Sequence, residues 1–156
     1  MKIRVALAFL LLAPVACGDR SFFTRGRDRT VCADTIPTAC GATARCVLDA
    51  SHYLDGDFPS GRRFIVRTKG EADLHFEIYL DDRHAPGTSL RLEVSEPSCN
   101  EKSTYDSAGS DIFTKAGSDG ILAMPLHVTR PGDHLVELSS DAYCSYALHF
   151  SIDSDQ

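Results

Sequence analysis

Apolar residues recur at every second position in several stretches of the chain. In the stretch 74–80, Leu, Phe, Ile and Leu alternate with His, Glu and Tyr. An alternation with a period of two is typical of a β-strand that has one face on a hydrophobic core. The same alternation, or a short apolar run, occurs at five further places: 63–66, 90–94, 122–128, 135–138 and 146–152. No stretch of useful length has the apolar spacing of an amphipathic helix. The pattern therefore predicts about six short strands.

Residues that favour turns separate these strands, including Ser60-Gly61 and Pro86-Gly87. Pro125 falls inside the strand at 122–128. Because proline donates no ladder hydrogen bond, we expect this strand at a sheet edge or at a bulge. Short strands separated by Gly and Pro turns predict an all-β fold, an antiparallel β-sandwich of jelly-roll type.

Three of these segments resemble the β-sandwich of bacterial pre-peptidase C-terminal domains. They are a Phe-x-Val strand at 64–66, a Gly-Asp-His-Leu-Val-Glu-Leu strand at 132–138 that follows a Pro-Gly turn, and a closing Tyr-Ala-Leu-His-Phe-Ser-Ile strand at 146–152. The resemblance implies an accessory, non-catalytic domain of the kind that is often appended to secreted enzymes.

The first seventeen residues have the organisation of an export signal. Lys2 and Arg4 precede an apolar run at 5–13, and Ala16 comes directly before Cys17. The run is shorter than the roughly 20 residues of a membrane-spanning helix and has the length of a cleaved signal core. A small residue before a cysteine resembles the lipobox of bacterial lipoproteins, which implies that Cys17 is acylated and becomes the mature N-terminus. The alternative is an ordinary secretory signal cleaved near Ala16, which yields a secreted protein.

This interpretation divides the chain into four parts: a signal peptide at 1–16, a tether at 17–31, a Cys-rich loop segment at 32–50 and a β-sandwich domain at 51–156. Gly18 follows the cysteine. In bacterial lipoproteins an Asp at that place retains the protein at the inner membrane, so the resemblance favours the outer membrane. We therefore expect a protein of the cell envelope that is held on the membrane by its lipid.

Charge argues against a nucleic-acid partner. The whole chain has a net charge of −6, and loss of residues 1–16, which include two basic residues and no acidic one, makes it −8. Phosphate contacts need clustered Lys and Arg, so we expect a protein or glycan partner instead.

Six cysteines limit the disulfides of an exported chain. Acylation of Cys17 leaves five thiols, whereas a free Cys17 allows three bridges.

Two disulfides are expected from position along the chain. Cys144 begins the last strand on its core side, and Cys99 follows the strand at 90–94, so we expect a Cys99–Cys144 bridge inside the sandwich. The other cysteines can pair locally and staple the N-terminal loop, with Cys32–Cys46 preferred.

No catalytic motif is recognisable. His75, His127 and His149 stand at polar positions of alternating strands, where we expect them to face solvent. The chain has no His-Glu-x-x-His zinc motif and no Gly-x-Ser-x-Gly nucleophile elbow. Because no nucleophile, base and orienting group are visible together, we expect a protein that is not an enzyme and carries no cofactor.

Two acidic pairs are the candidate calcium ligands. Asp55 and Asp57 flank a glycine, and Asp81 and Asp82 are adjacent. Calcium takes six to eight oxygen ligands, but neither pair has the spacing of an EF-hand, and Asp-rich segments of this kind are usually only turns.

Four tyrosines are candidates for stacking on sugar rings: Tyr53, Tyr79, Tyr105 and Tyr143. The sequence as a whole predicts a membrane-anchored, exported bacterial lipoprotein whose non-catalytic β-sandwich serves binding or structural interaction. The alternative is a secreted carbohydrate- or calcium-binding module.

Overall fold

The computed structural model describes residues 37–44, 46–80, 89–107 and 121–153. Every regular element within these ranges is a β-strand, and no helix that could span a membrane occurs in them. The strands are β1 Thr38–Ala39, β2 Ala42–Thr43, β3 Val47–Leu48, β4 His52–Asp57, β5 Arg62–Thr68, β6 Ala72–Leu80, β7 Leu90–Ser95, β8 Lys102–Asp106, β9 Ile121–Val128, β10 Gly132–Ser140 and β11 Ser145–Asp153.

Nine of these strands form two sheets. One sheet has five strands in the order β3-β5-β10-β7-β8, and the other has four in the order β4-β11-β6-β9. All pairings are antiparallel except the short β3–β5 contact, which is parallel. The predicted all-β sandwich is confirmed. The strand that contains Pro125 is β9, and it lies at the edge of the four-stranded sheet, as its missing N–H requires.

The core lies between the sheets and is built from the inward residues of the alternating strands. Phe64 of β5 meets Phe76 of β6 at a ring-centroid distance of 6.3 Å, and Phe76 meets Phe150 of β11 at 5.0 Å. All three rings are fully buried. Tilted aromatic pairs at these distances add to the stabilisation that burial itself provides. The three phenylalanines therefore stabilise the packing of one sheet on the other.

The β1–β2 hairpin covers part of the outer face of the five-stranded sheet. Ile65 and Leu135 are register partners on that face, and both are buried beside Ala44 of the hairpin segment. This second cluster explains why Phe64, Ile65 and Val66 are apolar without alternation. Residues on both sides of β5 are covered, so both sides are selected to be hydrophobic.

Cys99 forms its disulfide with Cys40 at the tip of the hairpin, across 59 positions of sequence and a Cα–Cα distance of 5.3 Å. The predicted Cys99–Cys144 bridge is therefore wrong. Cys144 is half-buried and packs against the main core. Cys144 directly precedes β11 and does pack toward the core, as expected. The turn that carries Cys99 lies instead against the hairpin on the outer face, where Cys40 is its partner.

Cys46 is also disulfide-bonded. Cys32, its predicted partner, lies outside the described residues, as do Cys17 and the predicted signal and tether. The Cys-rich segment is more than a loop, because its β3 hydrogen-bonds to β5 and extends the five-stranded sheet.

Candidate functional site

A polar cleft runs from the edge of one sheet onto the outer face of the other. Its volume is about 1020 Å³. It is bounded by β4 and the turn that leads into β5, by β10, and by the hairpin segment at 43–44. Six charged side chains line it, four carboxylates and two guanidinium groups: Asp55, Asp57, Glu93, Glu137, Arg62 and Arg63.

Tyr146 of β11 forms the base of this cleft. Its ring stacks on Phe58 at 4.4 Å and is only 1% exposed. Gly56 lies directly over the ring, because it is the register partner of Tyr146 on β4 and has no side chain to displace it. Burial raises the pKa of the Tyr146 hydroxyl, and the nearby Arg62 guanidinium opposes that rise. Arg62 also donates to the backbone carbonyl of Asp55, so it ties the two edges of the cleft together.

A row of ion pairs forms the wall on the five-stranded sheet. Arg63 Nε donates to Glu137 Oε1 over 2.7 Å across the β5–β10 ladder. Lys102 Nζ lies 3.9 Å from Glu137 and 3.8 Å from Glu93, and Arg91 donates to Glu93 over 2.8 Å. Each carboxylate in this row thus has two cationic neighbours. The side chains are held in place by one another and present both donors and acceptors to the cleft.

Asp55 and Asp57, the first predicted calcium pair, both line the cleft and are exposed. Asp57 accepts a hydrogen bond of 2.7 Å from Ser145. Asp81 and Asp82 lie outside the described residues. Within the described ranges, no group of three or more His, Cys, Asp or Glu side chains is arranged to hold a metal ion.

The four tyrosines are not brought together. Tyr53 stacks on His149 on the outer face of the four-stranded sheet, whereas Tyr79 of the same sheet is buried. Tyr105 packs against the core from β8, and burial raises its pKa. Tyr143 lies between β10 and β11 and is 77% exposed. No stacking platform is assembled from these four residues.

The three strand histidines all stand on the outer face of the four-stranded sheet, as their alternation with apolar residues predicted, and each meets an acidic side chain. His75 Nε2 lies 3.3 Å from Asp153, and His127 Nδ1 lies 2.8 Å from Asp73. The bond to Asp73 raises the pKa of His127. These are interactions across neighbouring strands, which a single strand's pattern does not show.

His149 has a carboxylate on one ring nitrogen and a hydroxyl on the other. Its Nδ1 lies 3.0 Å from Glu77 Oε2, and its Nε2 lies 2.9 Å from Ser51 Oγ. Glu77 is the register partner of His149 on β6, and Ser51 directly precedes β4. Sequence reasoning missed this set because its members are 26, 72 and 98 positions apart, and only the sheet order makes them neighbours.

A buried polar cluster sits at one end of the core. His134 is fully buried, with Nδ1 3.2 Å from the Ser95 carbonyl and Nε2 3.0 Å from Thr68 Oγ1. Glu96 is 5% exposed; its Oε1 accepts from the Thr129 N–H over 2.7 Å, and its Oε2 lies 3.7 Å from His134 Nδ1. The sequence contained a signal for this cluster, because His134 lies two and four positions before Val136 and Leu138, which face the core from β10.

No family model and no curated protein matches the chain. Among solved structures it is similar to the pre-peptidase C-terminal domain of a collagenase from Bacillus anthracis, with 8% identity and a TM-score of 0.47 over 69% of this chain and 92% of that one. It is also similar to a carbohydrate-binding module of a Cellvibrio mixtus lichenase in complex with cellotriose, with 14% identity and a TM-score of 0.32 over 73% of this chain and 77% of that one. The first of these is the domain type that the strand pattern resembles.

Proposed function

We propose that this protein is an envelope lipoprotein whose β-sandwich binds a neutral, hydroxyl-rich ligand, a glycan, in the polar cleft. The observation that carries the proposal is the cleft itself, about 1020 Å³ in volume and lined by charged groups that are already held in position. The membrane anchor of the proposal is the lipid on Cys17, and the outer membrane is its proposed location.

The chemistry of the lining favours hydroxyl groups over ions. Carboxylates accept hydrogen bonds and guanidinium groups donate them, so one such pair can hold two neighbouring hydroxyls of a sugar. Four carboxylates against two Arg side chains make the lining net negative, which disfavours anionic ligands. Because Arg63 and Glu137 are already paired, little side-chain freedom is lost on binding.

Calorimetric titration of the purified domain with neutral oligosaccharides tests this proposal. Arg63→Gln and Glu137→Gln are expected to weaken binding about tenfold or more, since each removes a charged hydrogen-bonding group. Arg67→Gln is the matched control, because Arg67 pairs with Asp133 across the same two strands and on the same face but outside the cleft. Equal affinity in all three variants, or no heat with any glycan, would exclude the cleft as a glycan site.

Membrane fractionation of cells that express Cys17→Ala tests the anchor separately. The variant is expected to leave the membrane fraction, since the lipid is the proposed attachment. A variant that stays on the membrane as firmly as the natural protein would show that the attachment lies elsewhere. Release of the natural protein into the medium would favour the secreted alternative.

A further inference from the structure

The arrangement of Ser51, His149 and Glu77 is that of a nucleophile, a general base and an orienting acid. Ser51 Oγ lies 2.9 Å from His149 Nε2, and His149 Nδ1 lies 3.0 Å from Glu77 Oε2. Both distances are normal hydrogen bonds, and the order hydroxyl, imidazole, carboxylate is the one that activates serine in hydrolases on unrelated folds.

The hydrogen-bond partners determine which nitrogen carries the proton. An ionised carboxylate can only accept, so Nδ1 carries the hydrogen and donates it to Glu77. In the neutral ring Nε2 then has a lone pair, and it accepts the Ser51 O–H. This is the tautomer that removes a proton from a serine hydroxyl as the oxygen attacks.

Two further features hold the imidazole in place while leaving the serine accessible. The ring of Tyr53 stacks on His149 at a centroid distance of 4.5 Å, and strand β11 lies between β4 and β6. The His149 side chain is 21% exposed, whereas Ser51 is exposed to solvent. The base is therefore held in place beside a hydroxyl that a substrate can reach from solvent.

We propose that Ser51, His149 and Glu77 form a hydrolytic site for carboxylic esters, with acyl groups carried on a polymer as the substrate class. The site is on the outer face of the four-stranded sheet, and the proposal does not depend on ligand binding in the cleft. An ester fits better than an amide, because an alkoxide leaves more readily than an amine nitrogen. A polymer fits better than a small molecule, because Ser51 is exposed to solvent and a long chain can reach it.

The reaction balances with water as the only co-reactant. Ser51 Oγ forms a bond to the acyl carbon while His149 Nε2 takes the hydroxyl proton. The ester C–O bond then breaks, and the leaving alkoxide takes that proton from His149 and departs as the alcohol. Water, deprotonated by His149, forms a bond to the acyl carbon. The bond from that carbon to Ser51 Oγ breaks, and the serine oxygen takes the proton from His149, so the products are the free acid and the regenerated serine.

Labelling with a fluorophosphonate probe tests the proposal, since Ser51 would form a P–O bond with loss of fluoride. Peptide mapping of the natural protein is expected to place the label on Ser51, and Ser51→Ala to abolish it. His149→Gln should slow labelling about 100-fold or more, and Glu77→Gln about tenfold or more, because it favours the wrong tautomer. The rate of p-nitrophenyl acetate hydrolysis should fall most in Ser51→Ala, less in His149→Gln and least in Glu77→Gln.

Ser151→Ala is the matched control, since Ser151 is a half-buried serine of the same sheet on the same strand as His149. This variant should be labelled on Ser51 and should hydrolyse p-nitrophenyl acetate at the same rates as the natural protein. Absence of label on Ser51, or a labelling rate that His149→Gln leaves unchanged, would overturn the proposal. The urea midpoint of each variant shows whether a loss of labelling comes from unfolding. Glycan binding by the Ser51→Ala variant is measured as well, because the serine site and the cleft are separate proposals and either one can fail while the other holds.

Discussion

Gly56 of β4 lies so close to Tyr146 of β11 that a Cβ atom at Gly56 would be 2.6 Å from the tyrosine hydroxyl oxygen and 2.7 Å from the adjacent ring carbon. The ring cannot easily retreat, because it is stacked on Phe58 and fully buried. The base of the cleft therefore depends on a residue without a side chain at position 56.

Gly56→Ala is expected to lower the free energy of unfolding by about 1–3 kcal/mol, the usual cost of adding a methyl group to a packed interior. Urea unfolding measures this change. Gly70→Ala is the control, because a Cβ there has no atom within 4 Å, and the substitution should be neutral or stabilising by up to about 1 kcal/mol. Equal stability of the two variants would mean that the Tyr146 ring moves aside at no cost.

The Cys40–Cys99 disulfide should contribute substantially to stability. It closes a loop of 59 positions, which the chain-entropy model values at about 4 kcal/mol. The double variant Cys40→Ser/Cys99→Ser is expected to lose a large part of that amount in urea unfolding under non-reducing conditions. Peptide mapping of the natural protein should recover Cys40 linked to Cys99. Recovery of Cys99 linked to Cys144 would contradict the pairing described here.

The buried carboxylate of Glu96 should be needed chiefly for its hydrogen bonds to Thr129. Glu96→Ala removes the acceptor of two part-buried hydrogen bonds, from the Thr129 N–H and from the Thr129 hydroxyl, and a typical bond of this kind contributes about 1 kcal/mol net. Glu96→Gln keeps an acceptor oxygen and should lose clearly less. If both variants lose the same stability in urea, the charge facing His134, rather than these bonds, is what the fold requires.

The surface pair of His127 and Asp73 should make stability depend on pH near neutrality. Asp73 accepts from His127 and raises the pKa of the imidazole above its ordinary value of 6.5. A pKa raised in the folded state stabilises the fold fully below pH 6.5, and this contribution disappears as the pH rises through the folded value. NMR titration of the His127 ring should show the raised midpoint, and Asp73→Asn should return it toward 6.5. An unchanged midpoint in that variant would assign the shift to another group.

The sequence by itself determined the class of fold, the main strands and the side that each turns to the core. The period of two is a local property, because neighbouring side chains of one strand must point to opposite faces. This alternation predicted that His75, His127 and His149 face outward. The missing N–H of Pro125 predicted that its strand, β9, lies at an edge or a bulge. Strands β4 and β8 gave little signal, since both are edge strands made mostly of polar residues.

Only the tertiary structure decided which residues became neighbours across strands. The partner of Cys99 depends on the hairpin folding over the outer face, and the set of Ser51, Glu77 and His149 depends on β11 lying between β4 and β6. The alternation of one strand contains no information about the strand beside it. Sheet order and register follow from packing all the apolar faces at once, and the cleft and the serine–histidine–glutamate set are consequences of that packing.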